Sequence, residues 1–229
     1  KGAIKLHALL DHDGHIPSFI RVSTGSTHDI KEARQLVLEP DSIVTFDRGY
    51  VDYQWFYQLH LQGAFFMTRL KRGARFRVIE RRDPPVLSGV TSDQTIRMTG
   101  RKPDSIPIAL RRIGYRDPET GKVYYFLTNN FTLSAKTIAE IYRARWQVEL
   151  FFKWIKQHLR IKTFIGTSHN AVMSQVYVAM TTYLLLSYVK FRVRSTLSLY
   201  TLAKRIEVSL FDRVPLNSLL VEHMHGRRK

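Results

Sequence analysis

The sequence predicts an α/β fold with a β-rich insertion, and three observations support this fold class. First, apolar runs at 4–10 and 16–22 flank a turn-rich link and are typical of a β-hairpin. Second, the apolar and β-branched segment 42–46 predicts a buried strand, and 64–70 predicts another. Third, the segment 134–160 contains no Gly or Pro and is rich in helix-forming residues, which favours one long helix.

Two shorter helices are predicted between these strands. The first follows a capping pattern at 26–29 and covers 29–38. His28 is interpreted as a structural residue at this cap, with an active-site role as the alternative. The second helix covers 52–61, with Asp52 as its cap and Gly63 as its end.

The segment 71–130 has a different character, because its apolar residues alternate and Pro, Gly and cations are frequent. Strands are predicted near 75–81, 94–99, 106–115 and 122–128, with a hairpin turn at 117–121. The cations of this segment suggest a surface that meets phosphates. They are Lys71, Arg72, Arg75, Arg77, Arg81, Arg82, Arg97, Arg101, Lys102, Arg111 and Arg112.

The C-terminal part is predicted to be helical. The apolar run 169–189 is long enough to cross a membrane, but its Asn, Gln, Ser and Thr content favours a core helix. A further helix is predicted over 198–211, and a short one begins at 214. The expected divisions are therefore a first core part, the β-rich insertion, the long helix and a C-terminal helical region, at 1–70, 71–130, 131–165 and 166–229.

The composition points to a polyanionic partner. The chain of 229 residues carries a formal net charge of +17, which suits either nucleic acid or an anionic membrane surface. It contains no cysteine, so disulfides and thiolate metal sites are excluded. It also opens inside a predicted strand without an initiator Met, and we therefore expect a fragment of a longer protein.

The predicted long helix carries a polar face with one carboxylate. At roughly 100° per residue, Tyr142, Arg145, Glu149, Lys153 and Lys156 fall within an arc of about 80°. One interpretation is a solvated stripe, because Glu149 and Lys153 stand four residues apart as surface pairs commonly do. The other is a metal ligand at Glu149, with Arg145 and Lys156 placed to hold phosphates.

A second candidate carboxylate is Asp47, which ends the predicted strand 42–46 and enters a turn containing Gly49. Such a position often holds a metal ligand in α/β sheets. The alternative is a helix cap, a role for which Asp52 is the better candidate. Asp11 and Asp13 are interpreted as residues of a tight turn.

The spacing of Tyr142, Arg145, Glu149 and Lys156 resembles the Tyr-Arg-Glu-Lys signature of the IS-four family of bacterial insertion-sequence transposases. The segment around Asp47 and the order of the elements are similar to this family as well. The resemblance implies an RNase H-like mixed sheet flanked by helices, with Asp47 and Glu149 as catalytic metal ligands. It also implies DNA contacts from Tyr142, Arg145 and Lys156, to which we add Lys153 and Arg48.

The implied activity is metal-dependent cleavage and strand transfer at the ends of an insertion sequence. The expected cofactor is Mg²⁺, with Mn²⁺ as a possible substitute, and two ions would activate the nucleophile and stabilise the leaving oxygen. The expected partners are double-stranded DNA, as transposon ends and target, and a second copy of the chain in the synaptic complex. No membrane partner is expected, and the expected location is the bacterial cytoplasm, at the nucleoid.

The resemblance also places the first acidic ligand on a strand upstream of Lys1. We therefore expect this chain alone to bind metal weakly and not to cleave DNA. A catalytically inactive, transposase-derived DNA-binding protein is the first alternative. A basic membrane-surface protein is the second.

Overall fold

The structure is a computed structural model that describes residues 4–12, 16–84, 86, 88–100, 106–158, 165–166, 168–213 and 215–220. The chain divides into two compact units. The first contains residues 1–7 and 23–146, and the second contains residues 8–22 and 147–229.

The described part of the chain forms eight strands, seven α-helices and one short 3-10 helix. In chain order, they are β1 (Ile4–Leu10), β2 (Pro17–Thr24), α1 (Asp29–Ala33), β3 (Ile43–Thr45), the 3-10 helix (Arg48–Tyr50), α2 (Tyr53–Leu61), β4 (Phe65–Arg69), β5 (Phe76–Arg82), β6 (Val90–Met98), β7 (Leu110–Arg116), β8 (Val123–Thr128), α3 (Ala135–Ala144), α4 (Trp146–His158), α5 (His169–Arg192), α6 (Leu199–Val208) and α7 (Leu216–Leu220).

The main sheet has six strands in the order β3-β4-β8-β7-β6-β5, and β1 pairs with β2 in a separate two-stranded sheet. β3 and β4 are parallel, whereas the remaining neighbours are antiparallel. The predicted mixed α/β fold is therefore confirmed, and it is consistent with an RNase H-like sheet. The four strands predicted within 71–130 extend the sheet that β3 and β4 begin.

Helices cover both faces of this sheet. Phe66 and Met67 are fully buried neighbours in β4, and consecutive strand residues point to opposite faces. Phe66 stacks on Phe56 of α2 with ring centroids 4.3 Å apart. Met67 belongs instead to a cluster with Phe126 and with Ile138 of α3. α2 and α3 therefore lie on opposite faces of the sheet. Burial of each of these large apolar side chains stabilises the folded state by about 1.5–3 kcal/mol.

Buried polar side chains fix the connection from β8 to α3. Arg111 binds both carboxylate oxygens of Asp93, at 2.9 and 2.6 Å, and also donates to the carbonyl oxygen of Leu133 at 2.6 Å. Asn129 accepts from the backbone of Phe66 and donates to the carbonyl of Ala64, both at 2.9 Å. These bonds satisfy the polar groups of the connection, so it can be buried beside the sheet.

Most predicted boundaries in the first unit agree with the structure. The turn at 117–121 forms as predicted, because Asp117 accepts from the backbone N–H groups of Glu119 and Thr120. Asp52 caps α2 by accepting from the backbone of Trp55, and Ser134 caps α3. The prediction of a helix over 29–38 was wrong in length, because α1 ends at Ala33. Pro40 disfavours helical backbone in the residue before it.

The predicted helix over 134–160 is two helices. α3 ends where the backbone N–H of Arg145 donates to Tyr142, three residues back, at 3.1 Å. This 3-10 type bond tightens the last turn and ends the regular helical hydrogen bonding. α4 then begins at Trp146. The prediction of one continuous helix over 134–160 was therefore wrong, and residues 159–160 lie outside the described part.

In the second unit, α5 covers the apolar run predicted at 169–189 and extends to Arg192. By length and composition it is the one helix among the described residues that could cross a membrane. Only 28% of its most apolar window is buried. Its buried residues follow helical spacing and form a single face: Val176, Ala179, Met180, Tyr183 and Leu186.

The Arg111–Asp93 pair gives a test of what holds the sheet and α3 together. We expect Arg111→Met to lower the free energy of unfolding by about 3–5 kcal/mol, because it leaves the buried carboxylate of Asp93 with only the longer contact from Arg82. Urea unfolding followed by tryptophan fluorescence measures this loss.

Arg82 provides the matched control, because it reaches the same carboxylate at 3.4 Å from a more exposed position. Arg82→Met should cost no more than about 1 kcal/mol. Equal losses in the two variants would show that burial of the Arg111 guanidinium does not decide the stability.

Candidate active site

Asp47 lies just beyond β3, at the end of the strand as predicted. Its Oδ1 accepts a hydrogen bond from the backbone N–H of Arg48 at 2.7 Å and so caps the 3-10 helix. The same Oδ1 accepts a second hydrogen bond, from Nη2 of Arg69 at 3.2 Å. The side chain of Asp47 is half exposed, at 50%. The carboxylate is thus held on one oxygen and open to solvent.

Arg69 reaches Asp47 because of the pairing between β3 and β4. The parallel register places Thr45 beside Met67. Asp47 comes two residues after Thr45 and Arg69 comes two residues after Met67, so the same register brings them side by side. The carboxyl ends of parallel strands meet at one edge of a sheet. Sequence analysis did not identify Arg69, although a cation at the end of the strand after Asp47 was a signal that could have found it.

Tyr142 and Arg145 lie at the end of α3 beside this pair. The ring of Tyr142 packs against Phe126 with centroids 4.7 Å apart and is only 7% exposed. The prediction of an exposed phenol on a polar face was therefore wrong, because the ring fills the space between α3 and the sheet. The Arg145 guanidinium lies 5.7 Å from the centroid of the same ring.

The electrostatics of the cluster keep Asp47 ionised. Burial alone would raise the pKa of Asp47, but the Arg48 hydrogen bond and the cations Arg69 and Arg145 outweigh it and lower the pKa below its ordinary 3.8. Burial raises the pKa of Tyr142, although Arg145 and Arg69 act in the opposite direction. The site therefore combines one anion, two cations and a neutral phenol at physiological pH.

The predicted site residues divide between the two units. Asp47, Arg48, Tyr142 and Arg145 belong to the first unit. The remaining predicted residues belong to α4 in the second unit, where their side chains are exposed: Glu149, Lys153 and Lys156. Within the described residues, no group of three or more His, Cys, Asp or Glu side chains is placed to hold a metal ion.

Other candidate residues take structural positions. His28 stands at the N-terminal boundary of α1, as predicted, but its side chain makes no capping hydrogen bond. Asp29, the next residue, pairs with Lys5 at 3.1 Å. Asp13 lies outside the described residues.

The fold and the site together define a mixed α/β protein with a strand-end carboxylate set among cations that suit phosphates. The chain belongs to the transposase DDE domain family, which matches residues 1–185. This membership confirms the resemblance predicted from the Tyr-Arg-Glu-Lys spacing.

Curated relatives agree with this membership. A Sinorhizobium fredii protein provisionally named transposase y4zB is 33% identical over 214 residues, covering 92% of this chain and 60% of the relative. A Geobacillus stearothermophilus protein, provisionally named the transposase for insertion sequence element IS5377, is 30% identical over 82% of this chain and 50% of the relative. A Synechocystis sp. protein similarly named for element IS4SA is 25% identical over 80% and 52%. The chain thus spans about half to three fifths of the length of these relatives.

The low pKa of Asp47 gives a test of the cluster. We expect Arg69→Gln to raise the pKa of Asp47, because burial continues to oppose ionisation after one stabilising cation has been removed. Ionised Asp47 stabilises the fold above its unfolded pKa, and this contribution falls as the pH drops through the lower folded value. Carboxyl carbon NMR in metal-free buffer measures the titration.

Lys71→Gln is the matched control, since Lys71 follows β4 closely but is not among the groups that shift Asp47. It should leave the pKa of Asp47 unchanged. A wild-type pKa at or above 3.8 would contradict the cluster as described.

Proposed function

We propose that this chain is a large part of the catalytic core of a DDE transposase. The reaction would be cleavage and strand transfer of phosphodiester bonds at the ends of an insertion sequence. The observation that carries this proposal is Asp47, an ionised carboxylate at a strand end with Arg69 and Arg145 beside it. A carboxylate suits a divalent metal ion, and guanidinium groups suit the phosphates of the substrate.

The donor chemistry of Asp47 fits a hard divalent cation, for which we propose Mg²⁺, or Mn²⁺ in its place. Both hydrogen bonds that the structure assigns to the carboxylate fall on Oδ1, so Oδ2 is the oxygen we assign to the metal. Glu149 is proposed as a further ligand. When bound, such ions activate the attacking hydroxyl and stabilise the leaving oxygen.

The side chains around Asp47 have separate roles in this proposal. The backbone N–H of Arg48 and the guanidinium of Arg69 orient the carboxylate through Oδ1. Arg145 and the side chain of Arg48 bind phosphates of the DNA near the scissile bond. Tyr142 supports Arg145 through its buried ring, which lies beneath the guanidinium. Lys153 and Lys156 are exposed on α4 and add phosphate contacts.

We further propose that double-stranded DNA is bound as transposon ends and as target, by a homodimer that pairs two ends. The net charge of +17 supports a polyanionic partner. A DNA-acting protein of this kind would work in the bacterial cytoplasm, at the nucleoid. The names of the relatives favour the active transposase over an inactive DNA-binding derivative.

The metal-ligand roles can be tested in the protein expressed from its complete reading frame. Asp47→Asn and Glu149→Gln should each abolish Mg²⁺-dependent nicking of the element's own ends while DNA binding is retained. The loss should exceed the roughly 100-fold that changes outside the first coordination shell cause. The measurements are nicking of labelled DNA ends and fluorescence anisotropy for binding.

Asp212→Asn and Glu140→Gln are the matched controls, since both replace exposed acids elsewhere in the chain. They should keep wild-type nicking rates. Undiminished nicking in Asp47→Asn or Glu149→Gln would remove that residue from the metal site.

The phosphate role of Arg145 can be compared with that of its neighbour Arg143. Arg145→Gln should weaken duplex binding and lower the slope of log affinity against log salt by about 1, as expected for one lost phosphate contact. Arg143 is exposed on α3 and pairs with Glu119, so Arg143→Gln should leave the slope unchanged. Equal slopes in all three proteins would argue against a phosphate contact at Arg145.

A further inference from the structure

We infer that Arg75, Arg77 and Arg97 form a second phosphate-binding site for duplex DNA, at the β5 edge of the main sheet. We call these three residues the edge arginines. The inference rests on the DNA substrate of the proposed function and adds a contact surface that is distinct from the Asp47 site.

The register of the β5–β6 hairpin brings the edge arginines together. Arg77 stands directly opposite Arg97 in the antiparallel pair, so their Cβ atoms are about 4.5–5.5 Å apart. One step along, the backbone N–H of Thr99 donates to the carbonyl of Arg75 at 2.9 Å, which continues the same register. Residues two apart in a strand share a face, so Arg75 and Arg77 lie on one side together with Arg97.

This register is enforced by the opposite face of the hairpin. Phe76 and Val78 alternate with the arginines and pair with the buried residues Met98 and Ile96. A slip of one residue would bury the arginines and expose these apolar side chains. The three guanidinium groups are therefore held on one exposed face by the packing beneath them.

The arrangement is unfavourable for an unliganded protein. Like charges directly opposite each other in an antiparallel pair destabilise it. All three side chains are exposed, and none of them forms an ion pair or hydrogen bond within the described residues. At the other end of the same hairpin, by contrast, Arg82 is paired with both Glu80 and Asp93. Arg82 is thus compensated by two acids, whereas the edge arginines have no such partner among the described residues.

A polyanion with regularly repeated charges is the ligand that relieves this repulsion. Guanidinium groups bind phosphate oxygens with two parallel hydrogen bonds, and such contacts fix the position of a duplex without reading its sequence. Among the described strands, β5 stands last in the order of the main sheet, so the edge arginines lie at one side of the sheet and not at its centre.

The edge arginines lie on the same side of the sheet as Arg69. A continuous cross-strand row leads from Arg69 through Phe126, Ile113 and Asp93 to Arg82. Asp93 and Arg97 share a face because they are four residues apart in β6. The row crosses four strand spacings, or roughly 19 Å. Because α3 packs on Phe126 and Ile113 in this row, the edge arginines are proposed as a DNA contact separate from the Asp47 site.

The salt dependence of DNA binding tests this inference. The full-length protein, wild type and Arg77→Gln/Arg97→Gln, is titrated into a labelled mixed-sequence duplex of about 30 base pairs, since phosphate contacts are independent of sequence. The double variant should lower the slope of log affinity against log salt by about 1.8. When salt is raised from 50 to 200 mM, the factor by which affinity falls should therefore be about twelve times smaller for the double variant than for the wild type.

The matched control is Arg116→Gln/Arg143→Gln, which removes the same charge from exposed positions in the same unit. It should keep the wild-type slope. An equal fall in slope for both double variants would overturn the inference, because only the net charge would then matter. An unchanged slope in Arg77→Gln/Arg97→Gln, with a lowered slope in Arg145→Gln, would also overturn it while leaving the proposed function intact. Absence of salt-dependent duplex binding by the wild type would instead overturn the proposed function.

Arg77→Glu supplies a readout that separates binding from folding. It creates an opposite-charge pair with Arg97, so the midpoint of thermal unfolding should rise by up to about 4 °C. Duplex affinity should fall at the same time. A lower midpoint would overturn the inference, because it would show that the arginine pair serves the fold.

Discussion

The geometry of the candidate site depends on the buried guanidinium of Arg111. It binds Asp93 with two hydrogen bonds and holds the carbonyl of Leu133, so the connection from β8 to α3 has one position on the sheet. α3 then carries Tyr142 into the space beside Phe126, next to Arg69. An ion pair of this kind adds little net stability, but removing one partner is costly. Its value in this protein is that it fixes where α3 begins.

Those parts of the fold that depend on local signals could be predicted from the sequence. Asp47 was placed at a strand end because the apolar run before it and Gly49 after it mark the boundary. Asp52 and Ser134 were identified as caps because capping is decided within three residues along the chain. The alternation of apolar residues was sufficient to predict a strand at β5, within one residue of its observed bounds.

Those parts that depend on contacts between distant segments could not be predicted in this way. Periodicity treats a helix as continuous, so it missed the 3-10 bond at Arg145 and placed Tyr142 on an exposed face. Arg69 is 22 residues from Asp47, and only the parallel pairing of β3 with β4 brings the two together. The short α1 is a similar case, because its end is decided by the backbone that leads to Pro40 and to Asp41, which has a positive φ of 64°.

The acidic residues of the first unit explain which cations remain available for a ligand. Several acids are used inside the fold: Asp93 holds Arg111, Asp52 holds Arg34, and Asp29 holds Lys5. Asp47 differs, because its carboxylate is half exposed and has two guanidinium groups nearby. A protein with 19 acids and 36 basic side chains cannot neutralise every cation. Where the acids are placed therefore decides which basic surfaces stay open to phosphate, and in this sheet they leave open the strand end at Asp47 and the β5 edge.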